Sequence, residues 1–454
     1  MTQSIVLQVG QCGNQVGCRF WDLVLREHML LEDVSATDNA VWNFFRMAEN
    51  GKEFRARAVM VDMEEGVINS ILRTPLGKML SNHQFVTDVS GSGNNWAVGF
   101  HEYGRKYLDK IAERIRKEAE HCSCLQTFFL LHSLGGGTGS GLGTAVLEML
   151  NEEFPKVFRF AMPVFPSAMD DVVTSPYNTV FALEKITKFA DFACPVENEA
   201  LIDICNRIIK VKASTKQSIT SNMGSVLGQK ARPFDQMNNI VANLLLHLTS
   251  SARFSGMLNM DMNEICTNLV PHPKLHYLVS SITPLYSLLD VSLPPRRLDQ
   301  MFTDAFSPHH QLVNCDVKGG TMLSCALLAR GKVCMADMRR NLDRVQEGLK
   351  FVYWNQSGWK TGLCSTPPVQ HPYALLTLSN TSSFHHVLSR LRLDFLKLYN
   401  RKAHMHHFLQ VPHMEESHFR EALSSLADLS ADYRLMEVTD FSKLTLSRIK
   451  VLNC

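Results

Sequence analysis

The chain has 454 residues, of which 45% are hydrophobic and 20% are charged, the composition of a folded globular protein. At about 150 residues per domain, the length accommodates about three structural units, each able to bury a core. The 46 Lys and Arg residues nearly balance the 44 Asp and Glu residues, for a net charge of +2. These values exclude a disordered tail protein and argue against a nucleic-acid partner held by overall charge.

The first half of the chain alternates strand-like and helix-like patterns. An apolar run at 4–9 stops at Gly10, and apolar residues then recur at helical spacing over 16–24. Further strands are predicted at 57–61, 125–131 and 157–164. This alternation predicts a mostly parallel sheet covered on both faces, with ligands bound beyond the carboxyl ends of its strands.

The second half begins with a helix predicted at 234–249, whose wide apolar stripe is typical of a helix buried between two structural units. Later strands are predicted at 276–280, 322–329, 349–354 and 374–378. They indicate a second α/β unit. Two helices complete the pattern, and they are predicted at 384–402 and 415–433.

The stretch 210–232 interrupts this alternation. It is rich in Ser, Thr, Gly and Gln, and it contains basic residues but no acid. The composition predicts a basic surface loop. The sequence alone leaves open whether that loop binds a partner or is only solvated.

The strongest chemical signal is a glycine-rich segment between a predicted strand and a helix expected to start near Leu142. Its residues are Gly135, Gly136, Gly137, Thr138, Gly139, Ser140 and Gly141. Glycines let the backbone approach a ligand closely, so that successive N–H groups can point at phosphate oxygens. The positive end of the following helix dipole favours the same anion. The segment therefore predicts a phosphate-binding loop.

Other predicted strand ends carry polar loops that converge on the same edge of the sheet. The loops 10–15 and 91–95 are rich in glycine and amide side chains. Asp62, Glu64 and Glu65 follow another strand, and carboxylates in such a position are suitable ligands for Mg²⁺ beside phosphates. Together with the glycine-rich segment, these loops predict a nucleotide site.

Two other nucleotide-binding motifs fit less well. The glycine-rich segment lacks the Lys-Ser/Thr pair of a Walker A loop. Gly137 and Gly139 allow a loose match to the dinucleotide motif GxGxxG, but that motif belongs in the first strand–helix turn. An NAD-dependent oxidoreductase with a Rossmann-like domain is thus the weaker alternative.

Signals for membranes, secretion and zinc are weak. No apolar run approaches the roughly 18 residues that a membrane helix needs, and the first residues do not resemble a signal peptide. The 12 cysteines include no pair of CxxC motifs, which favours reduced thiols in a cytoplasmic protein. A histidine cluster is a minor metal-site alternative, because it lacks the spacing of helical zinc ligands. Its members are His404, His406, His407 and His413.

The polar loops and several other segments resemble the tubulin family. The resemblance is carried by 10–15, 91–97, 132–141, 176–178, 198–201 and 268–271. It implies a tubulin-like α/β GTPase fold with a nucleotide-binding domain on a parallel sheet (1–198). A buried central helix and second α/β domain (199–379) and C-terminal helices (380–454) are expected to follow.

The resemblance also implies a ligand, GTP or GDP with Mg²⁺, and a role for each site residue. The phosphate side is expected to be lined by residues 135–141 together with Gln11, Cys12, Gln15, Asn94 and Ser133. Glu64, with Asp62 nearby, is expected to lie close to Mg²⁺. Asn198 and Asn238 are expected to hydrogen-bond the guanine, with Phe234 stacked on its face.

Two positions depart from the family pattern on the ribose side. Ser175 stands where the family usually has an acid facing the ribose, and Asp171 is the nearby substitute. Ile202 stands where an aromatic residue is usual. The ribose contacts are therefore less well defined than the phosphate contacts.

Hydrolysis in this family is completed across a subunit contact, where an acid of one subunit orients water at the nucleotide of the next. The matching acids are Asp261 and Glu264. The alternative interpretation is that both only favour the N-terminus of a helix. An alternative function is a monomeric GTPase switch, in which these acids would take no part in hydrolysis.

Three features indicate a specialised member rather than an ordinary lattice subunit. They are the basic insertion at 210–232, a short segment at 285–302, and a C-terminal stretch without an acidic tail. The segments 62–67, 238–243 and 294–302 resemble a branch of the family found at centrioles and basal bodies. That resemblance implies other tubulins as partners, foremost delta-tubulin and then alpha- or beta-tubulin, together with centriolar proteins. No nucleic-acid or membrane partner is expected.

Overall fold

The computed structural model describes residues 2–29, 41–48, 53–167, 170–215, 234–254, 256–285, 297–369 and 371–437. Most of the predicted basic loop, much of the segment 285–302 and everything after residue 437 lie outside these residues. The predictions for those segments therefore stay predictions. Within the part of the chain that is described, no helix is long and apolar enough to cross a bilayer.

A parallel sheet of seven strands organises the first half of the molecule. Its strands are β1 (Gln3–Val9), β4 (Ala58–Asp62), β5 (Phe85–Thr87), β6 (Leu125–Ser133), β7 (Phe158–Phe165), β8 (Phe192–Ala193) and β9 (Val196–Glu197). The strand order is β5-β4-β1-β6-β7-β8, and β9 also pairs with β7. This arrangement confirms the predicted parallel sheet and its four predicted strands. A separate hairpin consists of β2 (Phe45–Met47) and β3 (Phe54–Ala56).

Helices cover both faces of this sheet, as the buried strands require. They are α1 (Gly10–Met29), α2 (Glu65–Leu72), α3 (Gly104–Glu120), α4 (Gly143–Glu153), α5 (Ser175–Phe189) and α6 (Asn198–Thr215). Alternate residues of β1 enter two separate cores. Ile5 and Leu7 belong to one core with α3, α4 and α5, whereas Val6 belongs to the other with α1.

The central helix predicted from sequence is α7 (Asp235–Leu248), and it packs against α1. Shorter helices follow it: α8 (Ser250–Arg253), α9 (Met262–Leu269), α10 (Leu298–Ala305) and α11 (Met335–Gln346). Ten of the fourteen residues of α7 are buried. The prediction of a helix buried between two units is therefore confirmed.

A second, mixed sheet forms the other α/β unit. Its strands are β10 (Val279–Thr283), β11 (Thr321–Gly331), β12 (Lys350–Phe351), β13 (Trp359–Cys364) and β14 (Tyr373–Thr381). The order is β10-β14-β11-β12, with β13 also paired to β11. Three helices then pack against the first unit: α12 (Phe384–Tyr399), α13 (Met405–Leu409) and α14 (Glu416–Leu435).

Two predicted elements are shifted. Residues 210–215 were expected to begin the basic loop, but they continue helix α6. The sequence there contains no Gly or Pro to end a helix, and its Lys and Ala residues favour one. The strand predicted at 276–280 begins instead at Val279, because the residues before it bridge Ala193 of β8 in the first sheet: Ala193 N donates to His276 O, and Leu278 N donates to Ala193 O.

The strand predicted at 349–354 shrinks to Lys350–Phe351. The residues after it turn outward, and Tyr353 and Trp354 are exposed. The apolar character of that run therefore does not mark a buried strand. Strand β13 has no counterpart in the sequence-based prediction, because its pattern of Trp, Lys, Thr and Gly lacks a continuous apolar run.

A buried ion cluster ties the two units and the central helix region together. Glu27 of α1 contacts Arg330 of β11 (Oε1 to Nη1, 2.8 Å) and Arg253 of α8 (Oε2 to Nη1, 2.6 Å). All three side chains are buried. Burial alone would raise the pKa of Glu27, but the two guanidinium groups outweigh it and lower the pKa to about 2. The carboxylate is therefore ionised beside the two arginines.

We predict that Arg330→Met lowers the free energy of unfolding by about 3–5 kcal/mol, because it leaves Glu27 buried with one partner fewer. Urea unfolding followed by circular dichroism measures the loss. The matched control is Arg340→Met, since Arg340 is exposed and pairs only with surface acids. Its effect is expected to stay below about 1 kcal/mol. Equal losses in the two variants would contradict the role given to the cluster.

Candidate nucleotide site

Loops from neighbouring strands meet at the carboxyl edge of the first sheet. Gly10 follows β1, Asp62 ends β4, and Ser133 ends β6. Because β1 lies between β4 and β6 in parallel register, these ends are adjacent. The convergence predicted from the sequence is therefore confirmed.

The first loop is a sharp turn at Gly10, which has a positive φ of +75°. A Cβ atom there would lie 3.2 Å from the backbone nitrogen of Gly139, so the turn abuts the glycine-rich segment. Gln11 is exposed on the first turn of α1, and Cys12 and Gln15 are half-buried behind it. Burial, with a smaller contribution from Asp170, raises the pKa of Cys12 to about 12. The Cys12 thiol is therefore protonated at neutral pH.

The glycine-rich segment divides into two parts with different roles. Residues 135–136 form a short loop, while Thr138–Leu142 already forms a turn of π-helix that leads into α4. The helix expected to start near Leu142 thus starts earlier. Gly136 is the open position, since the nearest atom to an added Cβ would be Asn94 Oδ1 at 3.7 Å. The N–H groups of Gly135 and Gly136 donate to no described residue, so they are free to bind an anion.

The later glycines are required by packing. A Cβ atom on Gly137 would lie 2.5 Å from the nitrogen and 2.7 Å from the oxygen of the Asn95 backbone. At Gly139 it would lie 2.7 Å from Ser133 O, and at Gly141 2.7 Å from Phe100 N. Gly137 thus brings the loop 91–95 directly against the segment, whereas Gly139 packs on the end of β6 and Gly141 packs on residues 96–100. These three glycines therefore allow the close packing of the loops around the site, in addition to any contact that they make with a ligand.

Asn178 connects the loops by hydrogen bonds. Its Nδ2 donates to the carbonyls of Gly135 and Asn94, both at 2.8 Å, and its Oδ1 accepts from Trp96 N at 2.9 Å. The side chain is fully buried. Every polar atom of this amide is used to set the spacing of the two loops. The sequence-based site did not include Asn178, although it lies in the 176–178 segment that resembles the family.

Asn94 is held in a left-handed conformation, with φ 55° next to Gly93 with φ 57°. Thr174 Oγ1 donates to its carbonyl at 2.8 Å, in addition to Asn178. The Asn94 side chain is exposed, and it lies over the open position at Gly136. A further contact that was not predicted joins Ser92 Oγ to Thr138 Oγ1 at 3.1 Å.

The acids at the end of β4 have two different environments. Asp62 is buried, and burial raises its pKa to about 6 although backbone hydrogen bonds act in the opposite direction. Its Oδ2 atom finds no hydrogen-bond partner among the described residues. Glu64 is exposed, and its carboxylate lies directly against Gly91. Asp62 thus offers a carboxylate oxygen without a hydrogen-bond partner, and Glu64 offers an exposed carboxylate. Both fit a Mg²⁺ ion, which usually takes one or two protein carboxylates and completes its coordination with water and phosphate.

The residues assigned to the base lie at two helix starts. Asn198 is the half-buried first residue of α6, directly after β9. Phe234 precedes α7 with φ 74° and is 53% exposed, and Asn238 is half-buried one turn later. Helices α6 and α7 contact each other. The exposed Phe234 ring is therefore available for stacking.

Two adjacent acids follow β7, the predicted ribose contact Asp171 and Asp170, which is also exposed. Asp170 accepts a hydrogen bond from Ser167 N at 2.9 Å, and its charge acts on Cys12. Asp171 is exposed. Ser175 is buried at the start of α5, with its Oγ 3.5 Å from Gly135 O. The assignment of Asp171 to the ribose therefore stays a prediction.

Asp261 and Glu264 lie at the opposite edge of the sheet. Asp261 caps α9 by accepting from Glu264 N at 2.8 Å, and it accepts from Gln126 at 3.1 Å. Gln126 is the second residue of β6 and Ser133 is its last, so about 23 Å of extended strand separates these acids from the loops. Glu264 also pairs with Lys360 at 2.7 Å. The two acids cannot reach the nucleotide edge of their own chain.

These features define a class: a parallel-sheet nucleotide-binding domain joined by a central helix to a second α/β domain. The chain matches the family model of the Tubulin/FtsZ GTPase domain over residues 3–206 and that of the tubulin C-terminal domain over 273–392. The chain belongs to the tubulin family. This membership decides against the NAD-dependent oxidoreductase.

Comparison with individual relatives shows which branch of the family the chain resembles. The chain is 52% identical to the tubulin epsilon chain of Homo sapiens and 53% identical to that of Mus musculus, each over 97% of both chains. It is 32% identical to the tubulin beta chain of Encephalitozoon cuniculi over 96% of both. The specialised branch that the sequence resembles is therefore that of the epsilon chains.

We predict that Gly137→Ala weakens guanine-nucleotide binding by about tenfold or more, which corresponds to about 1.4 kcal/mol. The added methyl group would push the 91–95 loop away from the segment. Titration with a fluorescent GTP analogue measures the affinity. The matched control is Gly66→Ala, because a Cβ at Gly66 meets nothing within 4 Å. Unchanged affinity in Gly137→Ala would show that the loop spacing does not matter.

Proposed function

We propose that this chain binds GTP or GDP at the carboxyl edge of its first sheet and acts as a non-lattice tubulin. The observation that carries the proposal is the set of loops joined by Asn178 around the open position at Gly136, with Asp62 and Glu64 beside them. The GTPase-domain match over residues 3–206 supports guanine nucleotide as the ligand.

The phosphates would be held mainly by backbone donors. The N–H groups of Gly135 and Gly136, which donate to no described residue, would bind phosphate oxygens, and the positive end of the helix that starts at Thr138 would favour the same charge. Asn94 would contact the outermost phosphate from the opposite side, with Ser133, Ser140, Gln11, Cys12 and Gln15 completing the lining. Asp62 and Glu64 would hold Mg²⁺, which neutralises phosphate charge when bound.

The base would be selected at the starts of α6 and α7. An asparagine amide offers both a donor and an acceptor, which can match the edge of guanine. Asn198 and Asn238 would make these hydrogen bonds. Phe234 would cover the face of the ring, for which an aromatic surface suffices without a hydroxyl group. Asp170 or Asp171 would approach the ribose, where Ser175 supplies no charge.

Hydrolysis would be completed across a contact between subunits. Asp261 and Glu264 are about 23 Å of strand away from their own nucleotide edge, so they could act only on the nucleotide of a neighbour docked below. There Glu264 would orient the water that attacks the γ-phosphate, releasing GDP and phosphate. Asp261 would hold Glu264 in place by capping α9. A monomeric switch would have no use for this arrangement.

We predict that Glu264→Gln leaves nucleotide binding by its own chain unchanged within about twofold, and slows hydrolysis in assemblies by about 100-fold or more. Phosphate release from assemblies of the purified chain with other tubulins measures the rate. The matched control is Glu347→Gln, an exposed acid directly after helix α11. Loss of nucleotide from Glu264→Gln would contradict the assignment, because the acid would then serve its own site.

The cellular role that we propose is the building or maintenance of centrioles and basal bodies, with a part in centrosome duplication. The full-length similarity to epsilon chains supports this role. The partners would be other tubulins, foremost delta-tubulin and then alpha- or beta-tubulin, together with centriolar proteins. The location would be the cytoplasm, at the centrosome and the microtubule cytoskeleton.

Removal of the protein from ciliated cells is expected to leave centrioles with incomplete compound microtubules, visible by electron microscopy. The wild-type chain is expected to restore them. A variant with both Asp62→Asn and Glu64→Gln is expected to fail, because nucleotide would be held without its cation. Normal centrioles in cells without the protein would contradict the proposed role.

A further inference from the structure

Glu197 is a buried acid where the base side of the candidate nucleotide site meets the rest of the molecule. It is the last residue of β9, and it directly precedes Asn198, the first residue of α6. Within the first sheet it pairs with Phe165 of β7. Glu197 is only 4% exposed. Because a carboxylate is costly to bury without hydrogen-bond donors, the partners of Glu197 show what holds it there.

Both carboxylate oxygens of Glu197 are bound by groups from outside the first sheet. Arg390 Nη2 donates to Oε1 at 2.6 Å, and the backbone nitrogen of Asn314 donates to Oε2 at 2.9 Å. Arg390 lies on α12, and Asn314 lies in the segment that leads into β11 of the second sheet. The backbone N–H of Glu197 adds a third hydrogen bond, to Leu312 O at 2.8 Å. The end of β9 is therefore bonded to the second unit and to a C-terminal helix.

The partners of Glu197 are themselves held in position. Leu312 N donates to Ser280 O of β10 at 2.9 Å, so the segment that binds Glu197 continues the hydrogen bonding of the second sheet. Val387 and Leu388 anchor α12 in the hydrophobic core. A hydrogen bond between ionised groups is about twice as strong as one between neutral groups. Glu197 is thus held strongly, by groups whose positions are fixed before any ligand binds.

The base side and the phosphate side of the candidate site are held by different residues. Asn178 sets the spacing of the loops assigned to the phosphates. Glu197 makes its hydrogen bonds elsewhere, and one peptide unit, about 3.8 Å between Cα atoms, separates it from Asn198. A functional side chain has to be placed within about 0.5 Å of its productive position. A shift of Glu197 would therefore displace Asn198 while the phosphate loops keep their own support.

We propose that Glu197 is a positioning residue for base selection: held by Arg390 and Asn314, it fixes the amide of Asn198 where that amide meets guanine. The inference rests on the proposed function, because it takes Asn198 as a guanine contact. Loss of the Glu197 carboxylate would weaken recognition of the base and leave the phosphate contacts in place. If Glu197 only stabilised the fold, every nucleotide would lose affinity to the same extent.

The test compares GTP with ATP as competitors of a fluorescent GTP analogue bound to the full chain. The two nucleotides carry the same ribose and triphosphate, so the ratio of their affinities measures recognition of the base. The test variant is Glu197→Gln, in which an amide N–H₂ group replaces one acceptor oxygen and faces a donor. Its affinity for GTP is expected to fall about tenfold or more. Its affinity for ATP is expected to stay within about twofold, so the preference for GTP falls about tenfold.

A second variant, Arg390→Met, keeps Glu197 and removes one of its two partners. It is expected to reduce the preference for GTP in the same direction. Arg390→Lys, which keeps the charge, is expected to retain part of the preference that Arg390→Met loses. The matched controls are Arg392→Met on α12 and Asp203→Asn on α6, both at exposed positions. They are expected to keep the preference for GTP within about twofold.

A reduced preference for GTP in Glu197→Gln and Arg390→Met, but not in the controls, would support the positioning role. An unchanged preference in Glu197→Gln would overturn the inference and leave the proposed function standing. Equal losses of GTP and ATP affinity would also overturn it, because Glu197 would then only stabilise the fold. If the wild-type chain itself showed no preference for GTP over ATP, the proposed function would fail and the inference with it.

Discussion

The arrangement of the nucleotide site depends on one buried amide. Asn178 donates to the carbonyls of Gly135 and Asn94 and accepts from Trp96 N, so three of its hydrogen-bonding groups join two loops that are distant in the sequence. A buried amide that loses such partners costs free energy for each group left unpaired. The loops are therefore held at a fixed spacing before any ligand arrives. Preorganisation of this kind reduces the cost of binding.

The molecule has two functional edges linked by one strand. The carboxyl end of β6 carries the phosphate-type loop, and its amino end contacts Asp261 through Gln126. The ion cluster around Glu27 fixes the second unit against the first, so the two edges keep a constant separation. In the proposed function, such a subunit would offer a nucleotide to one neighbour and acids to another.

The sequence predicted the elements whose patterns arise from burial. The four main strands of the first sheet and the helix α7 lie where continuous apolar runs or a wide apolar stripe placed them. The sequence could not show which glycines of 135–141 are required by packing and which lie open to a ligand. The neighbours that exclude a Cβ at Gly137 come from residues 92–95. For the same reason it missed Asn178, whose partners lie more than forty positions away. Short strands such as β12 likewise depend on long-range packing.

The most direct test of this account is chromatography of the nucleotide released when the purified chain is denatured by heat. Because the loops are fixed in advance by Asn178, we expect about one molecule of GTP or GDP per chain, consistent with the tight binding that preorganisation favours. Gly137→Ala, which disturbs the same loops, is expected to release much less. Stoichiometric release of NAD, or the absence of any nucleotide from a correctly folded wild-type chain, would contradict the account.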